Sequence, residues 1–203
     1  IPTASTVAIE TGRNETTPAE TKTLDPNLNR RARHLGTVMH RTLKQLANEG
    51  IKAWPESRLA RLPLSWSAQL KELGIIVDKS ELSELVAALQ TMLKDPKGQW
   101  MLEAHEDAQC EVALGYYRAD SHEAGTSVID RTFISDGTRW IVDYKFTAPN
   151  DHETVEMFEE RQINAYKKQL SHYVRLYRDL APEPVSSALY FPKIGLFSEV
   201  YVD

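Results

Sequence analysis

A single cysteine, Cys110, stands among 203 residues. One thiol cannot make an internal disulfide, a tetracysteine zinc site, or an iron–sulfur cluster built from this chain alone. Its scarcity fits a reducing, cytoplasmic setting. Positive charge is not in excess either. The formal net charge is −5 with 26% charged residues, so composition gives no support for nucleic-acid binding. Carboxylate-rich sites can still hold DNA through metal ions and local basic patches. No apolar run approaches the ~18 residues of a membrane span, and no signal-peptide pattern opens the chain. G-x-x-x-x-G-K-[ST] is also missing, so no nucleotide is expected to bind here and no nucleotide-hydrolysing motor is present. The first residue is Ile1 rather than Met, which predicts a piece of a longer protein.

What is present reads as one large domain, or one domain with an insertion, long enough to bury a sizeable core. Residues 1–33 are rich in Thr, Glu, Pro and Asn with little periodicity, which predicts a linker or an arm lying on a partner domain. From Thr37 to Glu49 the pattern turns helical, with Met39, Leu43 and Leu46 on one stripe and Gly50 as a stop. Glu56 to Leu73 reads as a second helix. Asp78 with Glu81 resembles a capping box, and Leu82, Leu85, Val86, Leu89 and Leu93 follow as an amphipathic stripe that Pro96 and Gly98 should break. Gln109 to Tyr116 reads as a first strand. A long helix is expected from Glu153 to Leu180, closed by Pro182 and Pro184. Val185 to Phe191 and Leu196 to Val202 read as a last strand pair. No internal repeat is visible.

The most informative local feature is Asp136-Gly137 between two alternating apolar runs, a strong hairpin signal. With these two as the turn, Ser135 faces Thr138, Phe133 faces Trp140, and Asp130 faces Asp143. Opposed residues have Cβ atoms about 4.5–5.5 Å apart, and like charges there destabilise a sheet. Two carboxylates so placed need a cation or a shared proton. Lys145 lies two residues beyond Asp143 and so shares its face. Acid, acid and base on one hairpin face describe a divalent-metal site with a catalytic lysine.

Other candidates are weak one at a time. His40 lies on the first helix beside the apolar stripe, where a lone histidine is more often packed or simply exposed. Glu111 can be an ordinary solvent-facing strand residue, and Asp143-Tyr144-Lys145 is a short phrase that occurs by chance. Gln169 and Tyr173 are one helical turn apart, which is usually plain helix packing. Their order and spacing carry more weight. His40 within Gly36-Thr37-Val38-Met39-His40, Glu111, Asp130 in Val128-Ile129-Asp130, Asp143-Tyr144-Lys145, and Gln169-Leu170-Ser171-His172-Tyr173 resemble the motifs of the RecB-type PD-(D/E)XK nucleases. The likeness is to the nuclease domains at the C-terminus of the bacterial exonuclease V β-subunit and of AddA-like helicase–nucleases. It covers Arg33 to Tyr177. Ser127 and Phe146 depart from it, where the family commonly has Gly and then Thr or Ser.

The resemblance implies an α/β restriction-endonuclease-like fold over residues 34–203, a mixed central sheet flanked by helices, with a helical insertion at about 54–103. It implies that His40, Asp130, Asp143 and the Tyr144 carbonyl hold Mg²⁺ or Mn²⁺, a ligand set those ions suit. Lys145 would serve the attacking water, and Glu111 would steer a water or a second ion. Gln169, Tyr173 and Arg41 would brace the site or touch DNA. Arg30, Arg31, Arg33, Arg41 and Lys44 would give the first helix a basic approach, although an exposed charged face looks the same. The implied activity is DNA exonuclease action in double-strand-break repair and recombination, on single-stranded ends, in the bacterial nucleoid. An upstream helicase domain and a second subunit would be the partners. Two alternatives stand beside it: a DNA-binding or scaffolding module that keeps the fold without cutting, and a free-standing endonuclease. Complete Asp130, Asp143 and Lys145 argue against the first, and the missing Met and linker-like start against the second.

Overall fold

The computed structural model describes residues 26–118, 122–180 and 182–202. Most of the anticipated N-terminal arm, residues 1–25, lies outside the described residues. Strands β1 (Glu106–Arg118), β2 (Glu123–Ser135), β3 (Thr138–Tyr144), β4 (Val185–Phe191) and β5 (Leu196–Glu199) form one sheet in the order β1-β2-β3-β4-β5. All neighbours are antiparallel except β3 and β4, which run parallel. Parallel neighbours need a crossover, and helix α6 (Val155–Arg178) supplies it. The mixed sheet with helices on both faces is the expected α/β architecture.

Asp136 and Gly137 make the hairpin turn with φ of 51° and 71°, and the observed pairs Ser135–Thr138 and Phe133–Trp140 match the sequence register. Helix α1 (Pro26–Glu49) begins ahead of the helical pattern, inside the stretch expected to be an arm. Helices α2 (Glu56–Leu59), α3 (Leu62–Glu72), α4 (Lys79–Lys94) and α5 (Pro96–Leu102) fill the interval where a helical insertion was anticipated. The expected single helix from Glu56 divides in two, and α3 restarts with Pro63 in its first turn, where no backbone donor is missed. Asp78 and Glu81 form the full capping box of α4. Pro96 does not end helical structure but starts α5, with the Asp95 side chain accepting from the Gly98 N–H at 2.8 Å. Gly98 is required there: a Cβ would sit 2.2 Å from the Met92 carbonyl oxygen.

Two apolar clusters sandwich the sheet. One joins α1, α3, α4 and α5 to Phe133, Val142 and Tyr144. The other joins α6 to Ile129, Ile141, Leu189 and Phe191. The β2 residues expose a break in the pleat. Arg131 and Phe133 face the first cluster, Arg131 donating to the Met101 and Glu103 carbonyls at 3.1 and 2.9 Å. Ile129 faces the second cluster, although strict alternation puts residues 129, 131 and 133 on one face. The inversion falls at Asp130 and at Glu111 across from it, whose φ is +51°, a left-handed backbone rare for a glutamate.

Candidate active site

Helix α1 crosses the sheet with Val38, Met39, Thr42 and Leu43 buried beneath it. That seating turns His40 sideways, toward the ends of β2 and β3. Its Nε2 lies 2.9 Å from the Tyr144 carbonyl oxygen and its Nδ1 3.2 Å from Asp130 Oδ1. A carbonyl oxygen only accepts, so Nε2 carries the proton. The other Asp130 oxygen accepts from the Tyr144 N–H at 2.9 Å. On the opposite side of β3, Lys145 Nζ sits 2.6 Å from Asp143 Oδ2 and 3.9 Å from the centre of the Tyr166 ring on α6. The Lys145–Asp143 contact is a charge contact out of hydrogen-bond alignment, and Asp143 Oδ2 remains a buried oxygen without a hydrogen bond. His40, Asp130, Asp143, Tyr144 and Lys145 thus gather at one end of the β2–β3 pair.

Burial acts against every charge here, and the neighbours decide which charges persist. Burial would lower the pKa of His40, but Asp130 outweighs it and holds the imidazole above its ordinary value. Burial would raise Asp130, yet His40, Lys145 and the Tyr144 N–H bring it below the ordinary carboxylate value. For Asp143 burial wins, Asp130 adds to it, and the carboxyl rises despite Lys145. Lys145 is raised: burial opposes its charge, but Asp143 more than compensates. The two aspartates are shifted in opposite directions by their neighbours.

The anticipated face-to-face opposition of Asp130 and Asp143 needs correcting. The ladder register that would pair them continues to Arg131–Val142, but the pleat inversion turns Asp130 to His40 on the α1 side, while Asp143 faces α6 with Lys145. Each carboxylate has its own cation. Glu111 pairs with Lys44 of α1 at 2.5 Å. Gln169 donates to the Tyr173 hydroxyl at 2.6 Å, and that hydroxyl donates to the Val128 carbonyl at 3.1 Å, tying α6 to β2 beside Asp130. Burial, with Asp143 nearby, pushes the Tyr173 pKa up to about 12, so the hydroxyl stays protonated. Arg41 is exposed. Two neighbours escaped the sequence reading. Tyr166 carries no signal beyond its place on the long helix, though it lies one turn before Gln169. Lys44 stood in a basic run, though it lies one turn after His40.

The profile of the PD-(D/E)XK nuclease superfamily matches residues 12–197. The chain belongs to that superfamily. No curated protein matches it. Membership implies nuclease activity in general, and PD-(D/E)XK nucleases generally use divalent metals. A nuclease domain would bind DNA. No helix among the described residues is long and apolar enough to cross a membrane.

Whether this PD-(D/E)XK domain suits a metal turns on its donors. Among the described residues no three His, Cys, Asp or Glu side chains converge to enclose an ion. Asp130 is paired with His40 and Asp143 with Lys145, and the two carboxyls still feel each other's charge. The donor chemistry nevertheless fits. Asp143 Oδ2 is a buried acceptor answered by the Lys145 ammonium at 2.6 Å, and the Tyr144 carbonyl and Asp130 carboxylate both face His40. Oxygen donors with one imidazole suit a hard divalent cation.

Proposed function

We propose that this domain is the metal-dependent DNA exonuclease of a RecB-type helicase–nuclease acting in double-strand-break repair. The observation that carries it is the meeting of His40, Asp130, Asp143 and Lys145 at one end of β2 and β3. Asp130, Asp143, His40 and the Tyr144 carbonyl would hold Mg²⁺ or Mn²⁺. The ion, when bound, would lower the pKa of an attacking water and offset charge on the scissile phosphate. Lys145, kept protonated by its surroundings, would orient that water or stabilise the oxygens of the pentavalent phosphorus. The Tyr166 ring would keep the ammonium aimed once Asp143 turns to the ion. Gln169 and Tyr173 would brace β2, and Glu111 would steer a water or a second ion. An upstream helicase domain and a second subunit would deliver the DNA, in the bacterial nucleoid.

The test is a labelled single-stranded oligonucleotide with Mn²⁺ at low salt and no ATP. Slow cleavage is expected, because a domain of net charge −5 holds DNA weakly without its motor. No cleavage at high enzyme concentration would favour the non-cutting module of the same fold.

A further inference from the structure

Past the pleat inversion, β1 and β2 run on as a two-stranded ribbon with unlike faces. Val112, Leu114 and Ile129 pack toward α6, and Tyr116 sets its ring edge-on to His172 of α6 at 4.6 Å. The other face carries the cross-strand pairs Ala113–Val128, Gly115–Thr126 and Tyr117–Ala124. All six residues are exposed, Tyr117 at 63% and Val128 at 49%, and none is charged. A solvated strand face ordinarily carries polar and charged side chains. This one is small, smooth and bare, and Val128 ends it two residues from Asp130.

Helix α1 borders that face with the opposite character. It passes over β1 and β2 and on to the segment after β3: Lys44 meets Glu111, His40 meets Asp130, and Gly36 lies against Phe146, two residues beyond β3. Arg33, Thr37, His40 and Lys44 fall at spacings of four, three and four, so they share one stripe. Arg33 is exposed, and its side chain has no hydrogen-bond or ion-pair partner among the described residues. Lys44 is answered by Glu111 and His40 by Asp130, so Arg33 is the cation of this stripe without a partner among the described residues, and the uncharged ribbon runs toward the candidate catalytic end.

We propose that this ribbon face and the α1 stripe form the seat of one unpaired DNA strand, phosphates toward Arg33 and Lys44 and bases on the ribbon. Arg33 favours a phosphate at one end of the stripe, and at the other a phosphate can compete with Glu111 for the partly exposed Lys44. The uncharged floor favours bases rather than phosphates, and only a single strand offers both at once. A duplex turns its phosphates outward and would set them on these six residues, none of which is a cation. Ala113, Gly115 and Ala124 allow base planes to approach closely. Tyr117 is the stacking residue, its hydroxyl held 2.9 Å from His122 Nδ1, so part of its ordering cost is met before DNA arrives. This seat deepens the nuclease reading and depends on it only for the strand's destination.

The test measures binding without cleavage: fluorescence anisotropy of the whole chain with a labelled oligothymidylate and with a duplex of equal length, in EDTA. Tyr117→Ala should weaken single-strand binding about tenfold and leave duplex binding and Tm unchanged. Val128→Glu, a negative charge on the exposed floor, should weaken it further. Arg33→Ser should reduce the salt slope by about one. Parent-like affinity in Tyr117→Ala and Val128→Glu overturns the proposal, as does a parent with no measurable affinity at low salt. Self-association of the parent that Val128→Glu abolishes, with oligonucleotide binding unchanged, would assign the face to a second copy and also overturn it. A parent that binds in this way but never cuts with Mn²⁺ fails the nuclease reading and leaves the seat standing. A parent that cuts while every variant binds normally does the reverse.

Discussion

Strand β3 carries a charge cluster near each end, two carboxylates around one cation toward the turn and two carboxylates with two cations at the other. Toward the hairpin turn, Arg139 places Nη2 2.6 Å from Asp107 and 2.9 Å from Glu183. Both acids lie below their ordinary pKa values. For Asp107 the hydrogen bond from Arg139 leads, and for Glu183 a backbone hydrogen bond leads with Arg139 next. At the other end, Lys145 and His40 face Asp143 and Asp130, and these two carboxyls shift in opposite directions. Burial explains the contrast. The Asp107 side chain is 49% exposed, whereas that of Asp143 is 5% exposed and is driven up by desolvation even with Lys145 beside it. Both clusters leave buried polar atoms without a hydrogen bond, but of different kinds. At Arg139 they include Nε and Nη1, which are donors, while at Asp143 the atom is Oδ2, an acceptor whose contact is the Lys145 ammonium at 2.6 Å. A guanidinium stays charged throughout the working pH range and makes a fixed joint between strands. A histidine can give up its proton and a lysine is a flexible point charge, so the two buried acids at the other end have less fixed partners, which suits a place where an ion comes and goes.

The sharpest way to break this comparison is to remove the cation at each end. Lys145→Ala should lower the rate of DNA cleavage about 10²–10³-fold, the scale of losing one group that stabilises developing charge. Mn²⁺ affinity measured by calorimetry should stay within about threefold, because an ammonium is not a ligand. A variant that cuts like the parent would sink the role given to Lys145. Arg139→Met should act on stability instead. Asp107 and Glu183 would face each other without their cation, and Tm should fall about 5 °C while Mn²⁺ affinity and the cleavage rate hold. Lost cleavage in a variant that still melts cooperatively would mean the two ends are not independent.

These variants can be placed because much of the molecule is legible from sequence. Asp136-Gly137 fixes the hairpin register through the positive φ that glycine supplies, and β3 follows from it. Asp78 and Glu81 announce α4 by local hydrogen bonding alone. What could not be read depends on distant contacts. Nothing in Glu111 forecasts a left-handed backbone, and the resulting inversion sends Asp130 to His40 rather than against Asp143. Pro96 reads equally as a stop or as a first helical residue, and only packing of Gly98 against Met92 and Tyr190 decides. Tyr166 meets Lys145 through the docking of α6, which no spacing within the helix reveals.

The corrected position of Asp130 reverses a prediction about charge relief. Direct opposition would make Asp130→Asn a stabilising change in the metal-free protein. With Asp130 instead bonded to His40 and the Tyr144 N–H, and its pKa lowered, that substitution should cost stability, about 3 °C in Tm in EDTA. Asp143→Asn should cost less, since the folded state already disfavours its charge. Both should blunt the rise in Tm that Mn²⁺ gives the parent. Thermal melts of the three proteins with and without Mn²⁺ decide it, and an Asp130→Asn protein more stable than the parent in EDTA would restore the opposed pair.

The smallest expected effect is on acid stability, and it separates the two ends by sign. Asp107 and Glu183 have folded pKa values below the ordinary 3.8 and 4.5, so the unfolded chain binds protons more readily in that range. Their contribution is present above those values and is lost as pH falls through the lower folded ones. Asp143 runs the other way. Its folded pKa is above 3.8, so its ionisation costs stability as pH rises through that interval, and acidification relieves the cost. In the parent the two contributions partly cancel. Removing Arg139 with Met releases Asp107 and Glu183, so Tm should fall less steeply than in the parent between about pH 5 and 3. Asp143→Asn removes the opposing contribution, so its Tm should fall more steeply over the same interval. The differences should be only a degree or two, because Asp107 is half exposed and solvent screens its pair. Melting curves of the three proteins in EDTA, taken at half-unit pH steps, measure them. Parallel curves for parent and Arg139→Met would show that Arg139 does not hold these acids ionised, and the contrast between the ends of β3 would lose its electrostatic basis.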